Sequence, residues 1–318
     1  MSSIIFMGTP EFAVPALEAL HRQYGVSTVV TVPDRQKGRG LQTTPSAVKI
    51  AALELGITDI LQPASLRDEA FAEEIRKRSP LVICVIAFRI LPRSIYTLAK
   101  QGAFNVHASL LPRFRGAAPI NHAIMQGETT SGVTSFLLND VVDTGTMIEQ
   151  RSVAIDDAMT AGDLYEALMP LAADCAVSTT GKLLSGSFET TTQDESLACP
   201  APKVFREHAG IDWSHSREHV RNFIRGHSPV PAAWTIWNDE ILKVFTAERI
   251  SDVVPCGRWI IQGDRLIAGC SDGALSLLEV QLPGRRRMNF ADIARGYRGP
   301  TEGAFSQHRS SLLPEKHE

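Results

Sequence analysis

The run Leu81-Val82-Ile83-Cys84-Val85-Ile86 contains no polar residue, and it is the clearest indication of fold in the chain. A strand that is buried on both faces of a sheet has this uninterrupted apolar character. Two more apolar runs precede it, at residues 3–8 and 26–32. Helical patterns lie between these runs and residue 81, at residues 45–55 and 67–77. This alternation predicts an α/β domain with a Rossmann-like, doubly wound and mostly parallel sheet.

The pattern changes in the last third of the chain. Residues 162–184 have helical spacing, and residues 185–202 are rich in Ser, Thr and acidic residues, which is typical of a linker. Short strand-like runs with tight turns between them then predict a small OB-like β-barrel. These runs lie at residues 233–237, 241–247, 258–262, 266–270 and 275–280. We therefore predict a first domain over residues 1–188, a linker over 189–205, a barrel domain over 206–310 and a tail over 311–318.

The composition is that of an ordinary globular protein. The chain has 318 residues, of which 44% are hydrophobic and 21% charged, and these values exclude disordered, collagen-like and coiled-coil chains. No apolar run reaches the roughly 18–20 residues of a membrane span. The five cysteines lie far apart and form no C-x-x-C pair, so neither a zinc site nor a dithiol redox site is indicated. We expect a cytoplasmic protein without a metal and without membrane contact.

The net charge of −3 is unevenly distributed. Residues 1–200 carry 16 basic and 21 acidic side chains, whereas residues 201–318 carry 16 basic and 14 acidic ones. A slightly basic second part is a hint of a nucleic-acid partner, although such an excess more often belongs to a solvated surface.

Glycine-rich phosphate-binding motifs are missing from the sequence. Gly8-Thr9-Pro10 stands where a dinucleotide-binding fold has G-x-G-x-x-G, and it supplies the first glycine alone. No G-x-x-x-x-G-K-[ST] motif occurs either. Because a backbone without these glycines cannot approach a pyrophosphate closely, NAD and ATP sites are disfavoured.

The densest set of polar residues follows a strand expected at residues 103–107. Asn105 and His107 lie two residues apart and so project from the same face of that strand, near its carboxyl end, where open α/β sheets bind ligands. Asp143 stands in a turn, Asp143-Thr144-Gly145, after another strand-like run. An amide, an imidazole and a carboxylate suit acyl transfer without a covalent intermediate. On pattern alone, however, such a histidine is more often a structural hydrogen-bonding residue, and the turn is an ordinary one.

Several segments, in the same order along the chain, resemble the methionyl-tRNA formyltransferase family. They are residues 8–13 (GTPEFA), 33–35 with 38–40, 105–120 (NVHASLLPRFRGAAPI), 143–145 (DTG), 211–214 and 224–225. The resemblance implies transfer of the formyl group of 10-formyltetrahydrofolate to the α-amino group of methionine on initiator methionyl-tRNA. The product, N-formylmethionyl-tRNA, serves translation initiation, and we expect the enzyme to be a monomer.

The resemblance also implies roles for individual residues. Asn105, His107 and Asp143 would be the catalytic trio, and the first domain would hold the folate site. The folate-binding residues would be Ser109, Leu110, Leu111 and Pro112. The tRNA would be contacted by Arg39 in a basic loop and by the barrel domain through Arg285, Arg286 and Arg287. No metal is implied.

The chain departs from the family pattern near the expected site. Arg89 stands where the family commonly has glycine, and Val141-Val142 replaces the usual Gly-Leu before Asp143. None of these changes removes a member of the trio. Two other enzymes share the motifs of the first domain, a sugar-nucleotide formyltransferase and a formyl-folate hydrolase. A catalytically idle RNA-binding module is the alternative outside the enzymes.

Overall fold

A computed structural model describes residues 3–37 and 42–306, and the chain divides into two compact units. Unit 1 comprises Met1–Pro119, Thr130–Ala154 and Tyr165–Ala201. Unit 2 comprises Ile120–Thr129, Ile155–Leu164 and Pro202–Glu318. Unit 2 thus takes in two short segments from the range that the sequence assigns to the first domain. Contiguous sequence patterns give no sign of such an exchange.

The centre of unit 1 is a seven-stranded sheet in the order β5-β2-β1-β6-β7-β8-β9. The strands from β5 to β7 pair in parallel, and β8 and β9 pair antiparallel at one edge. A separate antiparallel pair is formed by β3 and β4. The bounds are β1 Ile4–Gly8, β2 Val26–Val30, β3 Arg35–Lys37, β4 Gln42–Thr44, β5 Ile60–Leu61, β6 Val82–Ile86, β7 Gly102–His107, β8 Thr130–Leu137 and β9 Met147–Ala154. The predicted Rossmann-like, mostly parallel sheet is confirmed.

The apolar run that predicts this fold becomes β6, and all five of its residues are buried. Helices cover the sheet, and two of them begin at side-chain caps: Ser46 accepts a hydrogen bond from Lys49 N, and Asp68 accepts one from Ala70 N. The helices of unit 1 are α1 Val14–Tyr24, α2 Ala47–Glu54, α3 Glu69–Arg78, α4 Arg93–Tyr96 and the greater part of α6 Ala161–Ser185, whereas α5 Pro119–Met125 lies almost wholly in unit 2. Within the described ranges, no helix combines the length and the apolar character needed to cross a bilayer.

Unit 2 contains a curled antiparallel sheet in the order β10-β11-β14-β13-β12-β16, with β15 paired to β14. A bridge between Ile236 and Ser306 joins the two ends of this order, so the sheet curls into a small barrel. The bounds are α7 Arg217–His227, β10 Ala233–Trp237, β11 Glu240–Ile250, β12 Arg258–Gln262, β13 Arg265–Cys270, β14 Gly273–Gln281, β15 Met288–Asn289, α8 Phe290–Gly296 and β16 Glu302–Ala304. Trp259, which is 1% exposed, lies in its apolar core. The predicted OB-like second domain is confirmed as a fold.

Candidate active site

Strand β7 carries the first two residues of the expected trio. It pairs in parallel with β6 and antiparallel with β8, where Asn105 lies opposite Phe136 and His107 opposite Thr134. Side chains alternate along a strand, so Asn105 and His107 lie on one face of the sheet. His107 is the last residue of β7, at the edge where parallel strands end. This is the edge at which open α/β sheets bind their ligands.

The ring of His107 is buried between two hydrogen-bond acceptors. Its Nε2 lies 2.8 Å from the carbonyl oxygen of Phe114, and its Nδ1 lies 3.7 Å from Oδ2 of Asp143. Because a carbonyl can only accept, Nε2 carries a proton and donates to Phe114. The ring nitrogen that remains for a reacting group is therefore Nδ1, beside the carboxylate. Both ring nitrogens thus face an acceptor.

Asp143 is held in an unusual backbone conformation. Its φ is +56°, a left-handed value that aspartate adopts more readily than most residues. Its Oδ2 accepts a hydrogen bond of 2.9 Å from the amide of Gly116, and the residue is 8% exposed. The sequence analysis groups Asp143 with His107, and in the structure the two side chains lie 3.7 Å apart.

The glycine that donates to Asp143 cannot be replaced without displacing its neighbours. Gly116 has φ +126°, and a Cβ placed there would lie 2.6 Å from the carbonyl oxygen of Ala201. This close approach arises because Arg115 N donates to Cys199 O while Ala201 N donates to Arg115 O. Gly116, within the motif at residues 105–120, thus permits a close backbone contact with Ala201. That contact orients the Gly116 amide towards the Asp143 carboxylate.

Asn105 has unused hydrogen-bonding capacity. Its Oδ1 is buried, and no described residue provides it with a partner. Buried polar atoms in folded proteins are nearly always hydrogen-bonded, so this acceptor is left open to a donor from outside the described residues. A small polar group held beside Asn105 and His107 would complete the hydrogen bonding of this face.

The expected folate segment, Ser109 to Pro112, is fixed by hydrogen bonds to its neighbours. Ser109 is fully buried, and its hydroxyl donates to Arg113 O at 2.6 Å. Thr134 donates to Ser109 O at 2.7 Å and accepts from Leu111 N at 3.0 Å, while Gln150 donates to Leu111 O at 2.8 Å. The hydroxyl of Ser109 is therefore occupied inside the protein. Contact with a ligand would fall to the backbone and to the half-buried Leu110.

The loop after β6 carries the departure at Arg89. Ala87 has φ +47°, and the Arg89 guanidinium donates to the carbonyl oxygens of Pro63 and Ala64 at 2.9 and 3.1 Å. It also lies 5.2 Å from the centre of the Phe88 ring. Arginine at this position therefore ties the loop to the segment after β5, which a glycine could not do.

The predicted tRNA contacts lie apart from the trio in the sequence. Arg39 falls outside the described residues. Arg285, Arg286 and Arg287 are exposed in the loop between β14 and β15 of unit 2. Arg287 pairs with Glu279, and its guanidinium lies 4.4 Å from the centre of the Phe245 ring.

Three polar residues near the trio carry no motif and were missed by sequence reasoning. Thr134 and Gln150 hold the backbone of residues 109–111 in place, as described above. Gln193 donates to the carbonyl oxygens of Asp143 and Gly145, both at 2.9 Å, and is 5% exposed. It lies in the polar stretch whose composition is typical of a linker, so the sequence offers no signal for its burial. No group of three or more metal-ligating side chains occurs in the part of the chain that the structure describes.

Comparisons with known proteins agree with this fold and identify the family of the chain. The chain belongs to the formyl transferase family: residues 1–180 match the formyl transferase domain and residues 203–298 match the formyl transferase C-terminal domain. The family resemblance carried by the motifs is thereby confirmed.

Relatives and solved structures cover most of the chain. A methionyl-tRNA formyltransferase from Chlorobium phaeovibrioides is 43% identical over 311 residues, which cover 95% of this chain and 97% of that protein. One from Chlorobium luteolum is 44% identical over 304 residues, covering 93% and 96%. The crystal structure of an N-formyltransferase from Helicobacter canadensis, in complex with folinic acid and dTDP-3-aminofucose, matches with a TM-score of 0.65. It covers 87% of this chain and 99% of that chain at 17% identity, so this likeness shows the fold alone.

Proposed function

We propose that this protein transfers the formyl group of 10-formyltetrahydrofolate to the α-amino group of methionine on initiator methionyl-tRNA. Family membership establishes formyl transfer chemistry, and relatives at 43% and 44% identity over most of the chain carry the methionyl-tRNA formyltransferase name. The observation that carries the residue assignment is the group formed by the buried His107 and Asp143 with the half-buried Asn105 at the edge of the sheet.

The trio supplies the groups that direct transfer requires. The neutral amine attacks the formyl carbon, and the formyl oxygen takes up the negative charge. The Asn105 amide and the Nδ1–H of protonated His107 would donate to that oxygen, because Nε2 is already bound to Phe114. Asp143 lies 3.7 Å from Nδ1, so its negative charge stabilises the imidazolium. The proton lost by the amine balances the one gained by the departing tetrahydrofolate nitrogen.

Two observations support the binding of a formyl donor at this site. The buried Oδ1 of Asn105 lacks a partner among the described residues, and as an acceptor it would take a hydrogen bond from the attacking amine while Nδ2 of the same amide donates to the formyl oxygen. The Ser109 to Pro112 segment presents a backbone that Thr134 and Gln150 hold in place, which favours a rigid binding wall. We propose this segment as part of the folate site.

We propose further that residues 1–188 carry the transfer reaction and that the OB-like domain at residues 206–310 binds tRNA. The slightly basic charge of residues 201–318 and the exposed Arg285 to Arg287 support this division of labour. Arg39 is proposed as a tRNA contact from the resemblance. A role in translation initiation would place the protein in the cytoplasm, and a monomer remains our expectation.

The decisive experiment offers purified protein three acceptors with 10-formyltetrahydrofolate: charged initiator tRNA, a dTDP-amino sugar, and water alone. We expect formyl transfer to the methionyl-tRNA. Transfer to the sugar, or hydrolysis without transfer, would refute the proposal.

The assignment of the trio is tested in the same assay. His107→Ala and Asp143→Ala should nearly abolish turnover while the protein stays folded. Asp174→Ala is the control, because Asp174 is a 71% exposed carboxylate paired with Arg151 at 3.6 Å. Near-normal turnover in either trio variant would contradict its assigned role.

A further inference from the structure

The segment that follows α6 contributes a buried side chain to the candidate active site. Residues 189–196 are polar, yet Thr191 pairs with Met147, and further along the segment Pro200 forms a bridge with Arg115. Between these two anchors, the Gln193 side chain is 5% exposed and reaches the turn that bears Asp143. Burying a flexible polar side chain costs conformational entropy and desolvation, and the bonds that it makes must offset this cost.

Gln193 uses both ends of its amide. Its Nε2 donates to the carbonyl oxygens of Asp143 and Gly145, each at 2.9 Å, so one NH₂ group joins both sides of Thr144. Its Oε1 accepts from Nε and Nη2 of Arg115, at 3.1 and 2.8 Å. The amide is thus oriented by the arginine with its donors towards the turn.

Arg115 is itself held by a carboxylate. Glu195 accepts from both terminal nitrogens of the Arg115 guanidinium at 2.8 Å, which is a bidentate arrangement. The hydrogen bond with Glu195 raises the pKa of Arg115, and the nearby negative charge of Asp143 adds to this effect. The residue after Arg115 is Gly116, whose amide binds the Asp143 carboxylate. Arg115 therefore links two contacts: its side chain binds Gln193, which holds the turn, and its backbone leads directly to Gly116, which binds the Asp143 carboxylate.

The turn needs such support because its backbone is constrained. Asp143 is in the left-handed region, which is unfavourable for a residue that carries a side chain. A Cβ at Gly145 would lie 1.7 Å from Leu137 O, so the chain passes directly over β8 at this point. A small change in the direction of the Asp143 backbone would move its carboxylate away from the 3.7 Å approach to His107.

We propose that Gln193 is a positioning residue for Asp143, oriented by the Arg115–Glu195 ion pair. This inference rests on the proposed function, in which Asp143 stabilises the protonated His107. Gln193 acts through the turn, and we assign it no contact with either substrate.

The test uses Gln193→Glu, which preserves size and the acceptor for Arg115 but replaces the NH₂ donor with an oxygen facing two carbonyls. We expect kcat to fall about 10- to 100-fold, as for a misplaced catalytic group, with KM for both substrates within about twofold. Thr192→Ala, at the exposed neighbouring position, is the matched control and should retain the native kcat. An unchanged kcat in folded Gln193→Glu would overturn the proposal.

Combination with Asp143→Ala separates positioning from general destabilisation. If Gln193 acts through Asp143, adding Gln193→Glu to Asp143→Ala should change the residual kcat by less than about twofold. Multiplicative losses would overturn the proposal, because they would mean that Gln193 acts independently. Near-native turnover of Asp143→Ala alone would instead overturn the role given to Asp143 in the proposed function, and the positioning role with it.

A second variant decides the question if Gln193→Glu does not fold. Glu195→Gln leaves Gln193 in place and weakens the hold on Arg115, and the Glu195 side chain is 71% exposed, so folding should survive. A loss of about 2- to 5-fold in kcat at unchanged KM would support the proposal. A kcat equal to that of the native protein would overturn it.

Discussion

Replacing Gly116 with alanine should disable the site through its backbone, without removing a functional side chain. The added Cβ would lie 2.6 Å from Ala201 O, and ordinary contact begins near 3.4 Å, so the two backbones must separate by about 0.8 Å. The amide of residue 116 moves with that separation, away from Oδ2 of Asp143, which it now binds at 2.9 Å. Misplacement of a catalytic group on this scale costs about 100-fold in rate.

The same substitution should lower the free energy of unfolding. A side chain at φ +126° is strained by about 1–3 kcal/mol, and overpacking adds about 1–3 kcal/mol, for a total of about 2–6 kcal/mol. Gly186→Ala is the matched control, because Gly186 has φ +67° but nothing within 4 Å of its ideal Cβ. It should lose about 1–2 kcal/mol and no activity.

The assays are urea unfolding for stability and formyl transfer to charged initiator tRNA for kcat. The reasoning predicts that folded Gly116→Ala loses kcat and that Gly186→Ala does not. A folded Gly116→Ala enzyme with native kcat would refute it. An equal loss of kcat in both variants would also refute it, because strain alone would then explain the effect.

Three other changes test separate parts of the molecule. Asn105→Ala should lower kcat about 10²- to 10³-fold with little change in KM, because one donor to the developing oxyanion is removed; steady-state kinetics would contradict this if kcat fell less than about fivefold. The hydrogen bonds from Arg249 and Arg221 lower the pKa of Asp157 to about 2, below its ordinary value of 3.8. This contribution to stability is present above about pH 4 and disappears as the pH falls towards 2. The difference in unfolding free energy between the native and Asp157→Asn proteins should therefore shrink on acidification. A difference that does not depend on pH would contradict the assignment. Replacing Arg285 and Arg286 with alanine should reduce the salt dependence of tRNA binding by about one unit of slope for each phosphate that is no longer neutralised, and an unchanged slope would show that these arginines do not bind phosphates.

Much of the fold is predictable from the sequence because its signals are local. The run at residues 81–86 predicts β6, which is buried throughout because it lies inside the sheet. Strands β10 and β12 have the predicted bounds, since tight turns at Asn238-Asp239 and Gly263-Asp264 limit them. The exchange of residues 120–129 and 155–164 into unit 2 is not predictable in this way, because it depends on tertiary contacts.

The candidate site is predictable as far as motifs reach. Spacing alone places Asn105 and His107 on one face, and the family resemblance selects Asp143. Spacing does not reveal that Nε2 of His107 is bound to Phe114 O, which leaves Nδ1 as the ring nitrogen without a hydrogen bond to the backbone. The burial of Gln193 is not predictable from the sequence. The composition of a polar stretch indicates that it is solvated as a whole, but it does not indicate which of its side chains will form hydrogen bonds inside the protein.

The bridge between Arg115 and Pro200 has a consequence for the order in which the protein is made. A nascent chain that has reached residue 188 already contains all three members of the trio. It still lacks Gln193 and the backbone of Ala201, so the support of the Asp143 turn is incomplete at that stage. The supporting segment is therefore made after the trio, and the site can reach its final geometry only once residues 193–201 have been synthesised. A fragment that ends at residue 188 would contain the trio but neither Gln193 nor Ala201.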